Sequence, residues 1–432
     1  MRNNRLCGED VKACEKLVMT RLAACVVLSF LHSGYALAQE QDTVMSGPWP
    51  TISGLTARGN SAMTASTNPA GMSRFHTRET IVQLSLAYGE SESTGQIPDL
   101  GISRSESDDG GIAIPAFYHT RPLSDKWDFG LSITAPAGFG DDYGVEDFRR
   151  YFATEWTLVY IAVNPALSYR VNDQFSIGGA LALNYTKYTV ESKVLNVDSP
   201  GTNDGDSELE ADSVSASFIA GMMYEFNEKT RVGFTYRGGT NAELEAVPEF
   251  SNLSVNTQAL IDATGRADRE ISIESELPPI AILGLFHEFD SGVALSVDLA
   301  HIGWSDFVLT EFAFAGDSLI ERGTEYDDAL AGSIGFSFPY KKGVTLGAAV
   351  GYLESPVTDL ERGFLFRIDD SWIVGFGAEF ERPNDRTITV NLNYGQGGDG
   401  RISTGALPRL GEIMSEYDSR SFVLLDFKYK WR

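Results

Sequence analysis

Short runs in which apolar residues alternate with small or polar ones recur along most of this chain, and the links between them are alternately short and long. In Phe422 to Trp431, Val423, Leu425, Phe427, Tyr429 and Trp431 share one face, while Asp426, Lys428 and Lys430 share the other. Ile388, Val390, Leu392 and Tyr394 oppose Thr387, Thr389, Asn391 and Asn393 in the same way. A period of two is the period of a strand. Strands with one oily and one polar face, repeated over hundreds of residues, suit a wall between lipid and water. Lipid offers no partner to an open backbone group, so such a sheet has to close on itself.

Fourteen strands are predicted from Thr80 onward, at about 80–89, 111–121, 125–136, 156–171, 174–193, 213–227, 230–246, 270–289, 292–303, 326–339, 343–353, 371–381, 386–395 and 420–431. Six of the links are short and carry turn residues, such as Asn172-Asp173 and Pro383-Asn384-Asp385. Seven are long: 90–110, 137–155, 194–212, 247–269, 304–325, 354–370 and 396–419. The expected fold is therefore all-β: a transmembrane antiparallel up-and-down barrel over residues 77–432, with short turns at one end and long loops at the other. A soluble sandwich has many strands too, but needs no such alternation of links.

The N-terminus reads as an export signal over residues 1–38. Leu22 to Leu31 is an apolar stretch after Arg21, and Ala36-Leu37-Ala38 is a small-x-small cleavage pattern before Gln39. Met19 would begin a leader of ordinary length, so the true start is placed there. Leu22-Ala23-Ala24-Cys25 resembles a lipoprotein box, but the apolar stretch follows this cysteine instead of preceding it. All three cysteines (Cys7, Cys14 and Cys25) lie in the leader, so the mature chain is expected to have no disulfide, thiolate metal site or cysteine nucleophile. Taking the leader's five basic and three acidic residues from the chain's 34 and 60 leaves residues 39–432 with a net charge of −28. That charge argues against binding nucleic acid or an anionic membrane surface. After the leader no stretch holds 18 consecutive apolar residues, so no helical span is predicted.

Between leader and first strand, residues 39–76 lack the period of two and are rich in small residues. Fourteen strands enclose a lumen too wide for wall side chains alone to fill, and this segment supplies a plug for it. It ends in Ser66-Thr67-Asn68-Pro69-Ala70-Gly71-Met72-Ser73-Arg74. That run resembles the stretch closing the N-terminal hatch of the FadL/TodX family of outer-membrane transporters for hydrophobic compounds. Ile114-Pro115-Ala116-Phe117 and Trp127 to Phe139 are similar to the family's second and third strands. Ser168 to Gly178 resembles its fourth-to-fifth hairpin, and Trp304-Ser305-Asp306-Phe307 and Ser355-Pro356-Val357 match shorter stretches. The segment before Asn68 looks shorter than the family's usual hatch.

The resemblance implies a monomer in the outer membrane of a Gram-negative bacterium, surrounded by outer-membrane lipid and lipopolysaccharide, that takes up long-chain fatty acids or related hydrophobic compounds. Aromatic hydrocarbon uptake by the same route, and a general diffusion porin, stand as alternatives; a surface protein using its acidic loops for adhesion is a third. It further implies capture by loops, movement of a hatch carrying Asn68, Pro69, Ala70 and Gly71, and lateral release through the wall. Pro136, Gly138 and Phe139 match the region of the family's kinked third strand. Proline removes a ladder donor and glycine weakens a strand, so a seam could open there; a strand simply ending at its loop is the other reading. Phe250, Leu253 and Leu260 make loop 247–269 unusually apolar, with a short helix over 256–266. They form either a capture groove or the loop's own small core. An acidic ligand would want a cation, and Arg149, Arg150, Lys187 and Arg237 are the candidates. No cofactor or metal is expected: His76, His119, His287 and His301 show no metal-ligand spacing. Ser296 and His301 are close in sequence only, and no enzyme is expected.

Overall fold

The computed structural model describes residues 55–432 apart from 317, 324, 359–361, 366 and 419. The leader, its cleavage after Ala38 and hatch residues 39–54 lie outside the described residues. Fourteen strands form the wall: β1 (Glu79–Ile97), β2 (Ile102–Pro122), β3 (Trp127–Asp142), β4 (Glu155–Arg170), β5 (Phe175–Leu195), β6 (Gly205–Asn227), β7 (Thr230–Arg237), β8 (Ile280–Glu288), β9 (Ala294–Ile302), β10 (Ala329–Lys341), β11 (Val344–Leu353), β12 (Ser371–Arg382), β13 (Arg386–Gly397) and β14 (Ser421–Trp431). Each pairs antiparallel with its neighbour, and β14 pairs with β1 from Trp431 opposite Thr80 to Ser421 opposite Glu90, which closes the barrel. Closure leaves no outermost strand with a free edge running its whole length through lipid.

The alternation seen in sequence is the alternation of faces. Leu84, Leu86 and Tyr88 of β1 stand exposed on the outside, while Ser85 is buried inside and donates to Asp426 of β14. Leu392 and Tyr394 face out while Asn391 and Asn393 are buried.

Beyond the lipid-facing band the strands differ from expectation. The stretch 90–110, expected as a loop, continues the β1–β2 hairpin out to Ile97 opposite Ile102. The stretches 304–325 and 396–419 hold hairpins of their own, Val308–Ala315 with Ser318–Gly323 and Gly400–Leu407 with Gly411–Tyr417. Period-two residues outside the membrane still make strands, because the loops pack on one another. Buried side chains from several loops form one large core that includes Trp156, Trp304 and Tyr326, and a second that includes Phe148, Phe364 and Tyr417. Strands expected at 230–246 and 270–289 each leave the wall midway. At Gly238-Gly239 and Pro278-Pro279 the chain bends, and Thr240–Ala246 pairs with Ile271–Leu277 as a separate ribbon. Two prolines without donors face two glycines without side chains, so neither strand holds the other in line.

Candidate functional site

Three short helices, α1 (Leu55–Arg58), α2 (Thr64–Thr67) and α3 (Gly71–Phe75), pack against inward-facing residues of the wall. Ala57, Ala62, Ala65 and Ala70 are fully buried there, so small side chains let helix backbone approach strand backbone. Wall glycines complete the fit. A Cβ on Gly178 would lie 2.4 Å from the carbonyl carbon of Pro69, and one on Gly221 would lie 2.1 Å from Oδ1 of Asn68. Neither distance is tolerable, so these positions require glycine. Asn68 is fully buried and satisfied: Nδ2 donates to the carbonyls of Thr56 (2.7 Å) and Met222 (3.1 Å), and Oδ1 accepts from the Ala70 amide (3.2 Å). It ties the segment to itself and to β6 in one side chain. At the short-turn end, Glu79 accepts from the Ala62 amide (2.9 Å) and from Nε of Arg432 (2.9 Å), while Arg231 donates to the carbonyls of Ala57 and Arg58.

Above these helices lies a cavity of about 190 Å³ bounded by the hatch, β1–β3, β5, β7–β9 and β14. Its lining is mixed: Met63, Ile114 and Ile282 are apolar, whereas Arg237, Asp426 and Lys428 bring charge. Pro136 also lines it, at a bulge where the β3–β4 register shifts between Thr134 and Ala137. On the other side of β3, pairing with β2 runs only from Pro122 opposite Asp128 to Phe117 opposite Ile133. Beyond that point β3 continues to Asp142 on β4 alone. The third strand therefore bends and runs on at Pro136, and the β2–β3 seam is unladdered beside the cavity. Gly138 sits in that stretch with open space where its side chain would be, whereas Phe139 is buried in the loop core.

The four candidate cations separate cleanly. Arg149 is buried and grips Asp147 through two nitrogens (2.8 and 2.9 Å). Arg150 pairs with Asp204 (3.0 Å) in the loops, where that carboxylate and the Tyr151 hydroxyl outweigh burial and raise its pKa. Lys187 pairs with Glu210 (2.9 Å). Arg237 lines the cavity, donates to the Ser66 carbonyl (3.3 Å), and has no carboxylate partner among the described residues. Lys428, which sequence reasoning passed over as one more inward polar residue of β14, lies in the same cavity.

In loop 247–269 the helix α4 (Val255–Thr264) starts at Ser254, whose Oγ accepts from the Thr257 amide, and ends at Gly265 with φ 65°. Phe250 meets Phe314 edge-on (5.0 Å between centroids), and Phe250 and Leu253 pack on the large loop core. Leu260 is half-buried, and Val255 is 85% exposed. Two of the three apolar candidates thus serve the fold of the loop, and α4 keeps an apolar residue outside. His301 faces Asp328 across 3.4 Å at the outside of the wall, away from the buried Ser296.

A closed barrel of fourteen strands with small helices inside and a cavity beside an interrupted seam belongs to the class of outer-membrane channels. Residues 27–424 match the family of outer membrane protein transport proteins (OMPP1/FadL/TodX), and the chain belongs to that family. It is 23% identical over 429 residues to a long-chain fatty acid transport protein of Salmonella typhi, covering 90% of this chain and 95% of that one. It is 21% identical to outer membrane protein P1 of Haemophilus influenzae, covering 95% of each. Among solved structures, a Pseudomonas aeruginosa FadL homologue is similar with a TM-score of 0.75 at 18% identity, over 91% of this chain and 99% of that one. The toluene transporter TodX of Pseudomonas putida is similar at 0.60 and 16% identity, over 90% and 99%. The protein is an outer-membrane transport protein of the Gram-negative type.

Proposed function

We propose that this barrel takes up long-chain fatty acids or related hydrophobic compounds, holds them in the cavity above the hatch, and releases them sideways between β2 and β3. The observation that carries this reading is the meeting of cavity and seam at Pro136. A cavity reached by an unladdered stretch of wall has a route into the bilayer that does not require leaving through water. Every methylene kept out of water is worth about 0.8 kcal/mol, so a ligand moving between apolar stations runs downhill and needs no energy source. Gly138 and the Pro136 bulge supply the bend of the exit, and the hatch around Asn68, Pro69, Ala70 and Gly71 blocks the straight path. The outer face of loop 247–269, with Leu260 and Val255 of α4 above Phe250 and Leu253, serves as the capture surface. The hatch disfavours an open diffusion porin.

Uptake of tritiated oleate by cells lacking their own long-chain fatty acid transporter tests this directly, alongside single-channel recording of the purified protein. Saturable uptake with no steady open-pore current is the expected result. A steady porin-like current without oleate uptake would overturn the reading.

A further inference from the structure

The three hatch helices end in the same way. Each is only four or five residues long, so nearly all of its carbonyls lack a partner within the helix. In each, one arginine of the wall answers them. From β7, Arg231 donates through Nε to the Ala57 carbonyl (2.8 Å) and through Nη2 to the Arg58 carbonyl, the last two of α1. Also from β7, Arg237 donates to the Ser66 carbonyl of α2 (3.3 Å). Arg170, the last residue of β4, donates to the Ser73 carbonyl of α3. None of these three arginines has a carboxylate partner among the described residues.

A guanidinium taken out of water is costly unless something answers its charge. Here the answer is the end of a helix, whose aligned peptide dipoles leave the C-terminal carbonyls partly negative. A hydrogen bond from a charged donor is also about twice as strong as a neutral one. The caps therefore come from the wall and not from the hatch's own sequence. Helices shorter than about 12 residues do not hold together alone in water. A hatch helix that leaves its arginine loses its cap and unravels, so the segment comes apart helix by helix instead of swinging as one plug. The three ties are unequal. Arg231 is 2% exposed, makes two bonds, and lies over the Phe286 ring at 3.8 Å. Arg237 is half-buried and makes one long bond, and the helix it holds borders the cavity through Ser66 and Thr67.

We propose that Arg170, Arg231 and Arg237 are positioning residues that seat the hatch by capping its helices one at a time, and that α2, under Arg237, is where the hatch yields first. The clamp serves the plug whichever hydrophobic compound the cavity holds. On one side of α2, α1 is fixed by the buried Arg231. On the other, the start of α3 has further ties, because the hydroxyls of Ser168 (3.3 Å) and Ser176 (3.0 Å) donate to the Ala70 carbonyl. When α2 unravels, the floor of the cavity loosens while both flanking helices stay tied to the wall.

Hydrogen exchange of the full protein in detergent tests this by reading residues 56–59, 62–68 and 72–76 as three separate windows. Arg231→Met should speed exchange at least tenfold in the first window, Arg237→Met in the second and Arg170→Met in the third. Each should leave the other two windows within twofold of wild type. The matching lysine variants, which keep a charged donor, should recover most of the protection. Where a methionine variant does not assemble, the lysine variant of the same residue carries the test, with a smaller acceleration confined to the same window. In single-channel recording Arg237→Met should raise the frequency of brief openings at least fivefold, because α2 borders the cavity. Lys430→Met removes an inward cation of β14 that pairs with Glu379 (3.8 Å) instead of the hatch, and should change neither readout. Acceleration spread evenly over all three windows, or unchanged exchange in the window of the altered arginine, would overturn the proposal.

Discussion

The wall from β9 round through β14 to β1 and the wall from β2 to β8 are built from the same alternating strands, yet only the second is interrupted. From β9 to β1 each strand is laddered to the next across the lipid-facing band, as in β12–β13 from Ser371 opposite Gly397 to Arg382 opposite Arg386. From β2 to β8, pairing stops at Ile133 on one seam and at Ile219 on the other. Proline and glycine mark both places: Pro136 and Gly138 at the first, Gly238-Gly239 against Pro278-Pro279 at the second. The hatch leans on the same half, with Gly130, Gly178, Gly221 and Gly233 making room for it. One half of the barrel is laddered throughout the lipid-facing band, and the other half carries both interruptions and most of the hatch contacts. The cavity lies between them.

The largest expected effect comes from removing what fills the interrupted half. Deleting Gln39 to Phe75 while keeping the leader should raise single-channel conductance more than tenfold, since the wall keeps the pairing it has and only the filling of the lumen is lost. Next come the glycines. Gly178→Val drives a side chain into the hatch backbone, whereas Gly179→Val next to it points outward and meets only the Ile219 carbonyl at 3.5 Å. Overpacking of this kind typically costs about 1–3 kcal/mol. Hydrogen exchange at residues 68–71 should accelerate in the first variant and stay at the wild-type rate in the second. Equal behaviour would show that the wall glycines do not seat the hatch. A smaller change follows Pro136→Ala, which returns a backbone donor to the bulge: initial oleate uptake should fall severalfold, while the matched replacement Pro339→Ala at the β10 bulge leaves it alone. The smallest effect belongs to the loop. Phe250→Ser, Leu253→Ser and Leu260→Ser together should lower uptake at limiting oleate and spare it at saturation. Because Phe250 and Leu253 also pack on the loop core, the melting temperature should drop as well.

The laddered half was legible in the sequence almost residue by residue, because period two and short turns have no competing reading there. Ile388 to Tyr394 and Val423 to Trp431 place themselves. The loops were less legible: residues 90–97 and 102–110 are polar on both faces, so nothing in their pattern distinguishes a hairpin outside the membrane from a loop. The site was legible only in outline. Pro136 carried a signal because proline inside a strand is costly, and Arg237 stood among four cations until pairing removed the other three. Gly178 and Gly221 looked like ordinary small inward residues, since their role depends on a helix distant in the chain. The Gly-Gly and Pro-Pro pairs at 238–239 and 278–279 were visible in the sequence. Their meaning needed the register that sets one opposite the other.

Sideways release through the interrupted half is the central claim, and a bridge across the β2–β3 seam tests it most directly. Cysteines placed in Gly138 of β3 and in the facing stretch of β2 at Ala113, joined by a reducible cross-linker, should abolish oleate uptake into cells while the purified protein still binds oleate. Reduction should restore uptake. Full uptake with the seam bridged would contradict the account and send the ligand straight down the lumen past the hatch.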